Sequence, residues 1–256
     1  MLRVYFDSFW AFCVEVWYDG HVHYPNFLLK SHFKDVFLLL YSRYQLQQDL
    51  FAAGLAVFLI TVSVLAVLFF IPLYAWDAHL LNISKSTGLS YTKIIENYRY
   101  MILFLGNPLP QNFHLPSLPS SVHGRIHFQD VKRLFRWIEL VMIVSGASSV
   151  WGFFIMRRRH NYFYLRRAAY WLVALTSFPL IALVLDFNDT FILFHRLAFS
   201  NNYWLFDPQR DPVITILPEA FFMHAALLII GLIALSVAIL FIASHRCYRR
   251  LPQEKE

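Results

Sequence analysis

The chain has 256 residues, 58% hydrophobic, 18% aromatic and 15% charged, with a net charge of +6. This excludes an ordinary soluble domain, because the apolar residues fall in blocks of about 18 or more with few charges, the signature of membrane-spanning helices. The positive balance does not mark a nucleic-acid face, since the bases cluster at the ends of the apolar blocks, as membrane topology requires.

Residues 1–49 are rich in aromatics, with acids at Asp7, Glu15, Asp19 and Asp35 and bases at Arg3, Lys30, Lys34 and Arg43. They lack the basic start, clean apolar core and small-residue cleavage site of a signal peptide. Two readings stay open for this extension: a cytoplasmic or interfacial amphipathic segment, or a translation start further in. No catalytic role is expected for it. Cys13 here and Cys247 near the other end form neither a metal spacing nor a disulfide framework.

Residues 51–76 are uncharged and long enough to span, with Tyr74 and Trp76 as interfacial aromatics and Pro72 placed to kink or end the helix. Residues 77–133 form a first polar insert. Within it Ser90 is placed to cap a helix through Ile94, Ile95, Tyr98, Ile102 and Leu105, and Pro108, Pro110, Pro116 and Pro119 then break regular structure. The second span is expected over 134–156, with Lys132 and Arg133 as interfacial anchors before it. Glu139 lies within this span, where an ionisable group should face protein or water. The third span covers 168–185, a second insert 186–218, and the fourth span 220–243.

Arg157, Arg158, Arg159, Arg166 and Arg167 crowd the short link between the second and third spans, and Arg246, Arg249 and Arg250 follow the fourth. The insert 186–218 holds only Arg196 and Arg210 as bases. The positive-inside rule therefore places the link and both termini in the cytoplasm and both inserts outside. The expected fold is all-α: an integral membrane protein of four transmembrane helices with an extracellular cap built from two inserts. Its organisation is an extension at 1–49, a transmembrane domain with cap at 50–245, and a basic cytoplasmic tail at 246–256.

Each insert carries a histidine beside a span, His127 in the first and His195 in the second. Two imidazoles facing one pocket suit acyl transfer, one as base and one as acid, while each alone could equally be an ordinary hydrogen-bonded histidine. Asp130, three residues after His127, could orient that imidazole, stabilise its charged form, or serve as a first-turn helix charge. His123 and His127 are four apart and could bind zinc on one helix face, but the pattern lacks the glutamate of a zincin, and Gly124 argues against a firm helix there. No metal is expected.

In the second insert, Asn201-Asn202 and Asp207-Pro208 are turn signals, and the density of Phe, Tyr and Trp suits either a cavity floor or a plain aromatic belt. Glu219 begins the fourth span, as a first-turn acid or a buried partner.

The run His127-Phe128-Gln129-Asp130-Val131-Lys132, the motif from Phe194-His195 through Trp204, Phe206-Asp207-Pro208 and Asp211, the Pro218-Glu219 and Phe221-Phe222 pairs, and Glu96-Asn97-Tyr98-Arg99 together resemble the bacterial lipoprotein intramolecular transacylases. The resemblance covers about residues 50–245 and leaves out the extension.

It implies four spans with an extracellular cap in the cell membrane, no cofactor, and a diacylglyceryl lipoprotein substrate in the lipid bilayer. The sn-2 acyl chain moves from the glyceryl oxygen to the amine of the N-terminal cysteine, with His127 and His195 as the matching histidines. Ser121, Asn97, Asp130, Arg196, Tyr203, Trp204, Asp207 and Glu219 are the expected supporting residues, with Arg196 and Tyr203 as oxyanion donors beside backbone N–H groups. A monomer is expected, and no nucleic acid.

The competing reading is a non-enzymatic membrane accessory or sensor protein whose cap binds a partner. A transporter would want discontinuous spans or repeated halves and charges near mid-span, and apart from Glu139 and His224, both towards the outer ends of their spans, these are absent from the sequence.

Overall fold

The computed structural model describes residues 43–249. The readings for residues 1–42 and for the tail from residue 250 onward lie outside the described residues. The described chain is helical, with no strand, and holds four helices long and apolar enough to cross a membrane.

The first of these, α1 (Arg43–Phe69), begins before the expected boundary at residue 49 and ends before the expected end at Trp76. Phe70 breaks it, and α2 (Ile71–Leu80) starts with Pro72 in its first turn. Proline has no N–H to donate and its ring displaces the carbonyl four residues back, so it ends one helix and suits the start of the next. Trp76 and Asp77 therefore belong to a short second helix and not to the span.

A turn with Asn82 at a φ of 51° leads to α3 (Ile83–Thr87), which Gly88 closes at a φ of 70°. Glycine takes that left-handed conformation without a Cβ penalty. The helix α4 (Tyr91–Gly106) begins at Ser90, whose side chain accepts from the Lys93 N–H. Its apolar stripe, including Ile94, Tyr98, Ile102 and Leu105, is buried as the periodicity predicts.

The proline-rich stretch after α4 is irregular, and side chains from α5 (Val122–Arg158) stitch it down. Gln129 donates to the Gln111 carbonyl at 2.7 Å, Lys132 to that of Leu109 at 2.9 Å, and Arg136 to that of Leu105. Lys132 is thus a buried loop clamp over the Phe104 ring, 7% exposed, and not an interfacial anchor. Arg133 is the exposed one. Glu139 pairs with Arg136 at 2.6 Å. Asn97, wholly buried, donates to Ser117 Oγ at 2.6 Å and accepts from the Ser117 N–H.

The helix α5 is continuous over 37 residues, or about 55 Å at 1.5 Å per residue, against roughly 30 Å of hydrocarbon. The expected division between cap and span near residue 133 is therefore not a break. The charged first turns of α5 project beyond the apolar segment as one rigid rod.

After α5 come α6 (Phe163–Leu185), α7 (Phe187–Ala198), α8 (Val213–Ile216) and α9 (Glu219–Arg249). Asp186 ends α6 and caps α7, accepting from the Asp189 N–H at 2.9 Å. The second insert is thus partly helical.

Among the spans, α1 packs against α5, α6 and α9, and α6 also packs on α9. Small residues permit the close approach: Ala52 and Ala56 of α1 meet Ala168 and Ala169 of α6 with Leu172 and Leu240. Gly152 of α5 receives the Phe51 ring, and a Cβ there would sit 2.6 Å from its Cγ. Apolar lipid gives helices no hydrophobic reason to associate, so such fitting carries the packing.

A second core lies beside the bundle. It joins Tyr74, Ile94, Tyr98, Phe104, Phe113 and Phe128 to Val213, Ile216 and Phe221. Tyr74 stacks on Tyr98 at 3.7 Å and donates to the Ile216 carbonyl at 2.6 Å. The two inserts therefore fold into one cap.

At the other end of α1, Arg167 pairs with Asp49 at 2.8 Å, both nearly buried. Asp49→Ala removes a carboxylate from a buried guanidinium and is expected to lower stability by about 3–5 kcal/mol. Thermal unfolding in detergent measures this. Wild-type melting of the variant would mean the pair contributes nothing.

Candidate active site

The site begins with the way α5 is started. Ser121 caps the helix, its Oγ accepting from the Gly124 N–H at 3.0 Å. The same hydroxyl donates to Asp211 Oδ2 at 2.7 Å, and the Ser121 N–H donates to Oδ1 at 2.7 Å. Asp211 is 4% exposed. Gly124 makes room for it, because a Cβ there would lie 2.2 Å from Asp211 Oδ1. The glycine read as weakening a helix is instead the helical position at which a carboxylate from the other insert docks. Ser121 is thus a junction residue.

Asp207 shapes the turn that delivers Asp211. Its carbonyl accepts from the Asp211 N–H at 2.8 Å and its carboxylate from the Gln209 N–H at 3.0 Å.

Docking α5 against this loop places His127 opposite His195, with ring centroids 6.1 Å apart. His127 is 6% exposed and lies edge-on to Phe199 at 4.9 Å and Phe206 at 5.3 Å. Its Nδ1 is buried and has no partner among the described residues.

His195, on α7, is half-buried against Phe191 at 4.1 Å and Trp204 at 4.9 Å. Its Nδ1 lies 2.7 Å from the Phe191 carbonyl. A carbonyl only accepts, so Nδ1 carries the proton and Nε2 is left with its lone pair. Burial pushes this imidazole below its ordinary value of 6.5, and the bond to Phe191 opposes the shift. The ring is therefore neutral near neutral pH.

Asp130 does not bond the His127 imidazole; burial disfavours the protonated ring, and the charge of Asp130 favours it. Its Oδ2 accepts from Asn201 Nδ2 at 3.0 Å and its Oδ1 lies 3.4 Å from Arg133. Asn201 also accepts from the Tyr203 N–H at 3.0 Å, so it ties the second-insert loop to α5.

The other expected residues divide. Trp204 is beside His195, and its indole nitrogen is buried with no acceptor among the described residues. Tyr203 stacks on His123 at 4.1 Å, and Arg196, next to His195 on α7, is exposed. Asn97 is committed to the proline-rich stretch. Glu219 is exposed and accepts from Asn188 on α7 at 3.2 Å, which makes it a surface link and not a buried partner. His123 and His127, though four apart, enter different surroundings, and no cluster of three metal-ligating side chains occurs among the described residues.

Sequence reasoning missed Asn201 and Asp211. Asn201 was legible only as a turn former, and nothing local marks Asp211 as the partner of a serine ninety positions earlier.

Two outcomes follow from this geometry. Gly124→Ala drives a methyl group into Asp211 and is expected to cost about 1–3 kcal/mol, as overpacking does. Unfolding in detergent reads it, and Gly124→Ala should cost less when made in an Asp211→Gly background, where the carboxylate it meets is gone. NMR titration of ring-labelled histidines is expected to give His195 a midpoint below 6.5, because burial disfavours its charged form. A midpoint above 6.5 would contradict the burial.

The profile of the lipoprotein intramolecular transacylase Lit family matches residues 50–222. The in meso structure of the membrane-integral lipoprotein intramolecular transacylase Lit from Bacillus cereus is 32% identical at a TM-score of 0.76, covering 80% of this chain and 96% of that one. A structure of the same Bacillus cereus protein with one histidine replaced by arginine is 28% identical at a TM-score of 0.76, covering 86% and 98%. Comparison with curated protein sequences gives no significant match. With a matched segment spanning most of the membrane bundle and cap, the chain belongs to the lipoprotein intramolecular transacylase family and is by that membership a membrane acyltransferase.

Proposed function

We propose that this protein moves the sn-2 acyl chain of a diacylglyceryl lipoprotein onto the amine of its N-terminal cysteine, with His127 and His195 as the proton-transfer pair. The observation that carries this reading is the 6.1 Å approach of two imidazoles from separate inserts, walled by Phe199, Phe206 and Trp204. A reacting centre seated beside both rings comes within hydrogen-bond reach, about 2.6–3.2 Å, of one nitrogen of each. Membership in an acyltransferase family sets aside the accessory or sensor reading.

The amine nitrogen attacks the ester carbonyl carbon, a C–N bond forms, and the carbonyl oxygen takes up the negative charge. His195, with Nε2 bare, is suited to remove the amine proton. The C–O bond to the glyceryl oxygen then breaks; burial lowers His127 from 6.5 to about 4, so its ring is neutral and passes to that oxygen the proton that His195 took. Proton exchange across the pair restores both rings. One ester is lost and one amide and one hydroxyl are gained, with no external acyl donor.

The α-amino group has a pKa of about 7.7–8.0, so an imidazole can deprotonate it without extreme tuning. Holding amine and ester together makes the attack unimolecular, an advantage of roughly 7–11 kcal/mol in favourable cases. The buried Trp204 indole N–H, with no acceptor among the described residues, is suited to donate to the oxyanion.

The cap is read as extracellular and the chain termini as cytoplasmic, from the excess of arginine in the 157–167 link and after α9. The protein is read as acting as a monomer on its bilayer-anchored substrate.

His127→Ala and His195→Ala are each expected to abolish lyso-form lipoprotein in cells while the protein still inserts. Mass spectrometry of a reporter lipoprotein decides it, and unchanged N-acyl product from either variant would remove that histidine from the mechanism. Trp204→Phe keeps the ring and removes the N–H. It is expected to lower kcat by about 10²–10³-fold, as loss of one oxyanion donor does, and wild-type kcat would exclude the indole as donor.

A further inference from the structure

A groove of about 340 Å³ lies at the start of α5. Its floor is the Ser121–Asp211 junction, whose polar atoms are bonded to one another. Its walls are different. His123, Asn202, Tyr203 and Arg210 line it, with His123 and Tyr203 stacked at 4.1 Å and 12° into a flat aromatic face. Arg210 is 80% exposed and only 3.8 Å from Asp207, so its guanidinium is open to a further acceptor.

The position of the groove tells what it meets. His123 precedes His127 by one helical turn, which places it about 6 Å further from the apolar segment of α5. Extended polypeptide advances about 3.3 Å per residue, so this offset is roughly two residues of chain. A substrate whose acyl chains lie in the bilayer and whose N-terminal amine lies between His127 and His195 must lead its polypeptide away from the apolar segment. The groove stands on that side, and Tyr203 and Trp204 join it to the histidine pair in sequence.

We infer that this groove binds the first residues of the substrate polypeptide that follow the acylated cysteine, with the His123–Tyr203 face packing on the chain and Asn202 and Arg210 bonding its backbone carbonyls. The inference rests on the transacylase reading above. It assigns the groove a substrate class, extended polypeptide, in place of lipid.

The test compares two synthetic substrates with the purified full-length protein in bilayer discs: diacylglyceryl cysteine amide alone, and the same group followed by four residues. The longer substrate is expected to have a kcat/KM about tenfold higher, because remote binding energy is used at the reacting centre. His123→Ala and Arg210→Ala are each expected to reduce that advantage to about threefold or less on the same ground.

Asn202 is exposed, so Asn202→Trp fills the groove without touching its buried floor and is expected to give the same loss even if another variant fails to accumulate. Equal kcat/KM for the two substrates in the wild-type protein, or an undiminished advantage in the variants, would overturn the groove assignment while leaving the reaction intact. If the wild-type protein converts neither substrate, it is the transacylase reading that fails.

Discussion

The buried carboxylate of Asp211 holds the rest of the cap in place. It accepts from both the backbone N–H and the hydroxyl of Ser121, and the same hydroxyl caps α5. Hydrogen bonds to a charged group contribute about 1.5–3 kcal/mol each, and a buried carboxylate without donors would be costly. The two inserts therefore have one favourable way to meet. That contact sets where the rigid rod of α5 begins, and so where His127 stands. Asn201, gripping Asp130 one turn beyond His127, fixes the same relation from the other side.

The surroundings match the chemistry. The imidazoles are walled by Phe199, Phe206, Phe191 and Trp204. An apolar wall keeps His195 neutral and able to accept a proton. It also leaves little room for water beside the two rings. The tether from His195 Nδ1 to the Phe191 carbonyl fixes the tautomer.

Charged groups near the spans are handled in the same manner. Lys132 meets the Leu109 carbonyl of the proline-rich stretch, Arg136 the Leu105 carbonyl in the last turn of α4, Glu139 meets Arg136, and Asp49 meets Arg167. Proline-rich backbone cannot satisfy its own carbonyls, and long basic side chains from α5 supply donors across the gap. The bases of the second span thus have two uses. In the 157–167 link Arg167 pairs with Asp49, whereas Lys132 and Arg136 build the cap.

Hydropathy and charge by themselves determined the four apolar spans and the arginine bias of the link, because length, polarity and helical period are local properties of the chain. The same locality made the Ser90 cap and the buried stripe of α4 legible, while His127 and His195 were singled out as a pair by the family resemblance. Other features were decided only in three dimensions. Asp211 and Ser121 are ninety positions apart, Asn201 and Asp130 seventy-one, and no spacing rule connects them. Asp130, expected to hold an imidazole, instead holds a loop. Tyr203, read as a candidate oxyanion donor, stacks on His123, and Trp204 is the ring that stands by His195. A residue's type limits which bonds it can make, but the choice among partners is made by packing, which is why the histidines could be named from the sequence and the contacts that aim them could not.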